Sequence, residues 1–127
     1  MTGRRILFAD DDPAIQRALR RLTEKTGFEL IAITAGLDVY AAARREQPDL
    51  IVLDIHFPDA DGRDVLSKLK SDPFTASIPV VIWSGRDPES DRRIALDLGA
   101  EDYVEKRDVS TLLPKLERVL LRLRDAG

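Results

Sequence analysis

The amino-acid sequence predicts a three-layer α/β domain in which helices cover both faces of a parallel sheet. Two observations support this fold class. Short apolar runs alternate with amphipathic segments five times along the 127 residues, which is the pattern of strands and helices in α/β domains. The runs within 50–54 and 79–84 are apolar without alternation, as expected for strands buried on both faces. Successive parallel strands then require right-handed crossovers through the helices.

Length and composition indicate one domain over residues 1–127. Hydrophobic residues make up 43% and charged residues 34% of the chain, which is too apolar for disorder and too charged for a membrane span. No apolar stretch approaches the roughly 20 residues of a transmembrane helix, and the chain shows no secretory segment, so we expect a cytoplasmic protein. Because the sequence lacks cysteine, disulfides, thiolate metal sites and thiol nucleophiles are excluded.

The charge balance does not indicate a nucleic-acid or membrane partner. The chain has 20 basic and 23 acidic residues, a net charge of −3, and both signs are spread along it. Domains that bind nucleic acid usually carry a basic excess on one face. We therefore expect no direct contact with nucleic acid.

The first strand, at 6–9, ends at three consecutive acids, and a helix follows. Asp12 suits the N-cap and Pro13 the first helical position. The helix is predicted to end near Gly27, where a left-handed residue can stop it. Its apolar stripe has the spacing i, i+3, i+4, i+7 and consists of Ile15, Ala18, Leu19 and Leu22.

The middle of the chain predicts two further strands and two helices. A strand at 28–33 precedes an alanine-rich helix at 37–46, which Pro48 closes. The buried strand at 50–54 ends on Asp54. A third helix is predicted at 62–70, with Asp61 as its cap.

The last part of the chain repeats this pattern. The strand at 79–84 begins with Pro79, where no ladder donor is lost. Asp87 and Pro88 repeat the cap-plus-proline start of a helix that Gly99 ends. After a short strand at 102–104, the last helix is predicted to begin at a Thr111 cap, with Pro114 in its first turn.

Polar residues follow four of the five strands. Because parallel strands open on one edge of the sheet, these residues should meet there. Three carboxylates packed ~4 Å apart repel one another by about 4 kcal/mol per pair at an effective dielectric near 20, so they require a cation. Hard oxygen donors favour Mg²⁺. The residues that converge are Asp10, Asp11, Asp54, Ser84 and Lys106.

This set of side chains suits phosphoryl chemistry. Lys106 supplies a fixed positive charge and Ser84 a hydroxyl donor for the oxygens of a transferring phosphoryl group. Asp54 is then the carboxylate that is left to attack phosphorus.

The ordered motifs resemble the receiver domain of two-component response regulators over residues 5–123. The resemblance implies a flavodoxin-like (βα)5 fold with strand order 2-1-3-4-5. The motifs are Asp10-Asp11, Asp54 followed by Pro58 and Asp61-Gly62, Ser84-Gly85, Gly99-Ala100, and Tyr103 three residues before Lys106.

The resemblance also implies roles for individual residues. Asp54 would accept a phosphoryl group from a sensor histidine kinase or phosphotransfer protein. Mg²⁺ would be held at the acid cluster by Asp11, Asp54 and the backbone carbonyl of His56, beside Asp10. Such a domain catalyses only its own phosphorylation and dephosphorylation.

The remaining implied roles concern the switch. Ser84 and Lys106 would bind the phosphoryl oxygens, and Tyr103 would be the switching aromatic residue. Phosphorylation would draw Ser84 toward the new oxygens and let Tyr103 move into the vacated space. The surface of the fourth helix, fifth strand and fifth helix would then change for a downstream protein partner.

Residues just past the strand ends yield two hypotheses. His56 and Arg86 each lie two residues past a site residue, and with Gly85 we expect them to flank the pocket and set phosphorylation and hydrolysis rates. Arg107 stands where the family usually has a proline after the lysine. Because a cis bond before a non-proline residue costs ~2.5–4 kcal/mol, we predict a trans Lys106–Arg107 bond.

Two alternative functions remain at this point. A hydrolase with an Asp-x-Asp-x-Thr motif would use Asp10 as nucleophile, but Ala14 stands where the threonine should be. A receiver-like interaction module would bind its partner without phosphorylation, but the presence of all three acids, Asp10, Asp11 and Asp54, argues against this alternative. Because no output domain follows Leu123, we expect a stand-alone receiver or a piece of a longer regulator.

Overall fold

A five-stranded parallel sheet lies at the centre of the computed structural model, which describes residues 4–85, 88–106 and 109–126. The strand order is β2-β1-β3-β4-β5, so the predicted fold class and topology are confirmed. The strands are β1 (Arg5–Ala9), β2 (Glu29–Ile33), β3 (Leu50–Asp54), β4 (Val80–Ser84) and β5 (Asp102–Glu105). The helices are α1 (Pro13–Thr23), α2 (Val39–Glu46), α3 (Gly62–Ser71), α4 (Pro88–Asp97) and α5 (Val109–Ala126), and a 3₁₀ turn (Gly36–Asp38) precedes α2.

The hydrophobic core has two layers, one on each face of the sheet. Successive residues of β1 point to opposite faces, so Leu7 joins one layer and Phe8 the other. The layer of Leu7 includes buried residues of α2, α3 and α4, and the layer of Phe8 includes residues of α1 and α5. All five residues of β3 and of β4 are buried, which explains why these segments lack polar alternation.

The strand register brings the strand ends to one edge. Ala9 pairs with Leu53, so Asp10 and Asp54 leave the sheet side by side. Asp54 pairs with Trp83, and Ser84 pairs with Glu105. The residues that follow these pairs therefore share one edge of the sheet.

Several predicted helix ends are confirmed. Asp12, which directly precedes Pro13, caps α1: its carboxylate accepts a hydrogen bond from the N–H of Ala14. The Asp61 carboxylate accepts one from the N–H of Arg63 at the start of α3. Gly99 has a φ of +102° after α4, in the left-handed region that glycine tolerates.

The predicted end of α1 near Gly27 is wrong, because the helix ends at Thr23. The Oγ1 and N–H of Thr26 both donate to the carbonyl of Thr23, so a separate turn satisfies the helix end. Gly27 has a φ of +80° and redirects the chain after that turn.

The helix α2 begins at Val39 rather than at Leu37. The segment that precedes it is wound as a 3₁₀ turn whose first N–H groups, those of Gly36 and Leu37, are bound by the Asp59 carboxylate. The carboxylate of Asp59, from a loop more than 20 residues away in the sequence, thus caps the 3₁₀ turn. The sequence near the turn does not reveal this contact.

The predicted start of α5 is also wrong. The helix begins at Val109, so Thr111 is not its cap and Pro114 is its sixth residue. A proline inside a helix costs about 3 kcal/mol. Buried Leu112, Leu113 and Leu116 offset this cost, since each contributes roughly 1.5–3 kcal/mol when fully buried.

Across the described part of the chain, none of the helices combines the length and apolar character needed to cross a bilayer.

Candidate functional site

Three carboxylates converge at the edge where β1 and β3 end. Asp10, Asp11 and Asp54 each offer an oxygen, and these oxygens lie within 4.8 Å of one another. Asp10 and Asp54 are buried, and Asp11 is exposed. Buried acids beside an open one suit a hard divalent cation that keeps part of its water shell.

Lys106 pairs with both buried acids and offsets part of their negative charge. Its Nζ lies 2.8 Å from Oδ2 of Asp10, in a buried ion pair. The same Nζ donates a hydrogen bond of 3.1 Å to Oδ2 of Asp54. The lysine thus spans from the end of β5 to the ends of β1 and β3.

Burial and charge act against each other within this cluster. Burial raises the pKa of Asp10 above 3.8, more than the Lys106 ammonium and the N–H of Asp12 lower it. Burial alone would lower the pKa of Lys106, but the carboxylates of Asp10 and Asp54 outweigh it and raise that pKa above 10.5. The site therefore favours bound positive charge.

The loop after β3 turns tightly around Asp54. The N–H of His56 donates to Oδ1 of Asp54 at 3.1 Å, and the N–H of Gly62 donates to the carbonyl of Ile55 at 2.7 Å. His56 and Asp61 form an antiparallel bridge. Both oxygens of Asp54 are therefore oriented, one by the loop backbone and the other by Lys106.

Ser84 links the cluster to the side of the sheet formed by β4, α4 and β5. Its Oγ donates to Oδ2 of Asp91 at 3.2 Å. Its carbonyl accepts from the Tyr103 hydroxyl at 3.3 Å and from the N–H of Lys106 at 2.8 Å. Tyr103 is half-buried against the core, so its ring already lies beside Ser84. The predicted neighbours Ser84, Tyr103 and Lys106 are thus brought together.

Gly85 packs against the lysine. A Cβ on this glycine would lie 3.3 Å from Cβ of Lys106, which is tight contact. Arg86 and Arg107 lie outside the described residues, and so does the predicted cap Asp87. The predictions for these three positions remain predictions.

Asp59 is a loop residue that sequence reasoning missed. Its carboxylate accepts from the N–H groups of Gly36 at 2.9 Å and Leu37 at 3.0 Å. The hydrogen bond from Leu37 and, to a smaller extent, that from Gly36 hold the pKa of the Asp59 carboxyl below 3.8. Asp59 thereby ties the loop that follows Asp54 to the 3₁₀ turn.

Gln16 was also missed. This buried residue of α1 donates through Nε2 to the carbonyls of Phe8, Asp10 and Ile33 at 3.0–3.1 Å. The amide ties the ends of β1 and β2 together beneath the acid pair. A glutamine within an amphipathic helix gives no sequence signal for this role.

An open hollow of about 590 Å³ adjoins the acid cluster. Asp11 forms one wall and the loop from Ile55 to Asp61 forms another. The exposed acid therefore faces a space from which a small ion or molecule can approach.

The chain belongs to the receiver family of response regulators in two-component systems. The family model described as "Response regulator receiver domain" matches residues 6–117. The chain is 37% identical over 117 residues to protein PilH of Pseudomonas aeruginosa, with 91% of this chain and 97% of PilH covered. It spans about half the length of several transcriptional regulators that it also matches.

Solved structures agree with this assignment. A CheY-like receiver domain protein from Methanospirillum hungatei superposes with a TM-score of 0.89 at 25% identity, covering 98% of this chain and 99% of that one. The Mn²⁺-bound form of response regulator Rcp1 superposes with a TM-score of 0.78 at 28% identity, covering 92% and 91% of the two chains. The fold is thus that of CheY-like, flavodoxin-like receivers.

Proposed function

We propose that this chain is a phosphoacceptor receiver, residues 1–127, that takes a phosphoryl group from a sensor histidine kinase or phosphotransfer protein onto Asp54. One Asp54 oxygen attacks phosphorus and the new O–P bond replaces the P–N bond of phosphohistidine. The imidazole, whose other ring nitrogen has taken a proton from solvent, leaves with the electron pair of the P–N bond as the neutral ring. The observation that carries this proposal is the orientation of both Asp54 oxygens, by the N–H of His56 and by Lys106.

The acid cluster supports a divalent cation as cofactor, and we assign Mg²⁺ to it. Asp10, Asp11, Asp54 and the backbone carbonyl of His56 would hold the ion, which supplies charge neutralisation for the incoming phosphoryl oxygens. A response regulator of similar fold, Rcp1, has a Mn²⁺-bound form, which supports a divalent cation as ligand of this chain. Asp11, the exposed member, is the residue through which the ion would enter.

Lys106 and Ser84 would bind the oxygens of the phosphorylated state. Lys106 already contacts Asp54 at 3.1 Å, so it needs little movement to reach an added phosphoryl group. Ser84 would turn its hydroxyl from Asp91 to a phosphoryl oxygen. Because the Tyr103 hydroxyl already bonds to the Ser84 carbonyl, Tyr103 would follow this change without a large movement from the surface.

The readout surface would be formed by α4, β5 and α5. Exposed Leu96 lies on α4, and Asp102 on β5 pairs with Lys115 and Arg122 of α5. A change at Ser84 reaches this surface through Asp91 and Tyr103. We propose a protein partner there, in the cytoplasm, with no direct contact to nucleic acid or membrane.

His56, Gly85 and Arg86 would set the rates of phosphorylation and hydrolysis. The His56 ring is about one-third exposed and lines the hollow through which a phosphodonor or water approaches. Replacing His56 by Ala, and separately Arg86 by Ala, should change the lifetime of the phosphorylated state. Unchanged lifetimes in both variants would remove this assignment.

The decisive experiment is incubation with a small phosphodonor and Mg²⁺, read by intact mass. The wild-type chain should gain one phosphoryl group that is lost at alkaline pH, and chelation of Mg²⁺ should prevent the gain. Asp54→Asn should not be labelled. Asp59→Asn, which makes the same change in the loop between β3 and α3, should still be labelled. Turnover of a phosphate ester that survives in Asp54→Asn would instead favour a hydrolase using Asp10.

A further inference from the structure

A buried acid outside the metal cluster, Asp91, contacts two residues of the site. Asp91 lies in the first turn of α4 and is 8% exposed. Its Oδ2 accepts a hydrogen bond of 3.2 Å from the Ser84 hydroxyl and lies 3.4 Å from Nε2 of His56. One carboxylate thus joins the end of β4 to the loop after β3.

The Ser84 hydroxyl can donate only one hydrogen bond at a time. In this structure the proton is given to Asp91, and the described residues show no hydrogen bond between Ser84 and Asp54. A bond to a charged, buried acceptor is stronger than one between neutral groups. A phosphoryl oxygen on Asp54 would have to compete with Asp91 for this donor.

The position of Asp91 is not explained by helix chemistry alone. Acidic residues in the first turn of a helix are stabilised by the helix dipole, and Glu89 of the same turn is one of them. Glu89 is exposed, as the dipole effect permits. Asp91 is buried and bound to the serine, so a specific contact accounts for it.

We propose that Asp91 is a positioning residue that holds the Ser84 hydroxyl on the α4 side of the site and so opposes the phosphorylated state. This inference rests on the proposed function. When Ser84 turns to a phosphoryl group, Asp91 loses its shorter hydrogen bond in a buried environment and keeps only the contact to the His56 ring at 3.4 Å, which favours a shift of α4. The release of Asp91 is therefore the step that carries the signal from Ser84 to α4.

The experiment measures beryllofluoride binding in saturating Mg²⁺ by fluorine NMR, with beryllofluoride standing in for the phosphoryl group on Asp54. Asp91→Ala should bind it about threefold to tenfold more tightly than wild type, the range expected for loss of one competing hydrogen bond. Asp91→Asn keeps the shape of the side chain and offers a weaker hydrogen-bond acceptor, so its affinity for beryllofluoride should lie between those of wild type and Asp91→Ala. Urea unfolding of each variant establishes that it is folded.

Removal of a negative charge near an anion would also tighten binding, so two controls separate charge from position. Glu89→Ala removes an acid from the same helical turn without touching Ser84, and should leave the affinity nearly unchanged. In a Ser84→Ala background there is no hydroxyl to hold, so adding Asp91→Ala should tighten binding less than twofold.

The outcomes separate the two proposals. Tighter binding that requires Ser84 supports the role of Asp91. Unchanged or weaker binding in Asp91→Ala, or tightening of equal size in the Ser84→Ala background, overturns it while the phosphoacceptor function stands. Failure of the wild-type chain to bind beryllofluoride or to accept a phosphoryl group overturns both.

Discussion

Gly62 and Ile55 approach so closely that no side chain fits between them. A Cβ on residue 62 would lie 2.4 Å from Cα of Ile55 and 2.5 Å from the carbonyl oxygen of Asp54. Such contacts are far inside van der Waals distance, and the opposing atoms are backbone. The start of α3 therefore packs directly on the backbone segment that carries Asp54.

Gly62→Ala should destabilise the protein by about 1–3 kcal/mol, the usual cost of overpacking. It should also slow labelling of Asp54, because relief of the clash moves the backbone at Asp54. Urea unfolding and intact mass measure the two effects. Gly85→Ala is the comparison for stability: its Cβ would meet the Lys106 side chain at 3.3 Å, which a small shift of the lysine relieves, so it should destabilise the protein less than Gly62→Ala does. Equal stability of Gly62→Ala and wild type would refute the packing argument.

Lys106→Ala should bind Mg²⁺ about threefold to tenfold more tightly while being labelled far more slowly. The Lys106 ammonium lies 2.8 and 3.1 Å from the carboxylates of Asp10 and Asp54, which are proposed to hold the ion. Because the ammonium competes with the ion for these carboxylates, its removal should strengthen Mg²⁺ binding. Without Mg²⁺ the variant should lose about 1–3 kcal/mol of stability, since two buried acids lose their partner. Calorimetric titration and urea unfolding with and without Mg²⁺ measure these changes.

The matched control for the lysine is Lys115→Ala. Lys115 pairs with Asp102 at 3.1 Å near the surface, where such a pair is worth about 0–1 kcal/mol. This variant should leave Mg²⁺ affinity unchanged. Weaker Mg²⁺ binding by Lys106→Ala would show that the lysine organises the acids rather than competing with the ion.

Asp59→Ala should lower stability at neutral pH and lose this effect in acid. The hydrogen bonds from Leu37 and Gly36 hold the pKa of Asp59 in the folded protein below 3.8. The stability that the Asp59 carboxylate contributes is therefore fully present above pH 3.8, and it is lost as the pH falls through the pKa of the folded protein. The difference in unfolding free energy from wild type should therefore shrink below about pH 3.8. Asp38→Ala, whose side chain caps no helix, is the control. A difference that stays constant down to pH 2 would contradict this account.

Trp83 fluorescence should change when Mg²⁺ binds. The indole is fully buried, its Nε1 has no hydrogen-bond partner among the described residues, and its Cα pairs with that of Asp54. A cation on the acids alters the electric field at this ring. A titration should give a saturable change in emission that Asp11→Asn weakens. Binding detected by calorimetry without any change in emission would count against this coupling.

The sequence predicted the positions of the strand ends well because buried strands and their terminal acids are local patterns. It predicted the C-terminal end of α1 and the start of α5 poorly. Pro114 shows why: tertiary burial of its leucine neighbours outweighs a strong local preference. A scan of one helix at a time does not include that energy.

The contacts of Asp59, Gln16 and Asp91 could not be predicted for a different reason. Each depends on where a side chain points once distant segments are packed together. Asp91 is 35 residues from His56 along the chain. In the sequence it is one more acid at a helix start, which the helix dipole alone would explain.

The amide of Gln16 binds carbonyls of both β1 and β2, which has a consequence for how this receiver can diverge. It makes the turn that bears Asp10 and Asp11 a rigid unit, whereas Ser84, Asp91 and Tyr103 are joined through bonds that phosphorylation would exchange. As sequences diverge, substitutions on the exposed face of α1 should therefore leave the acid-bearing turn in place, whereas substitutions on α4 near Asp91 act directly on the hydrogen bond of Ser84.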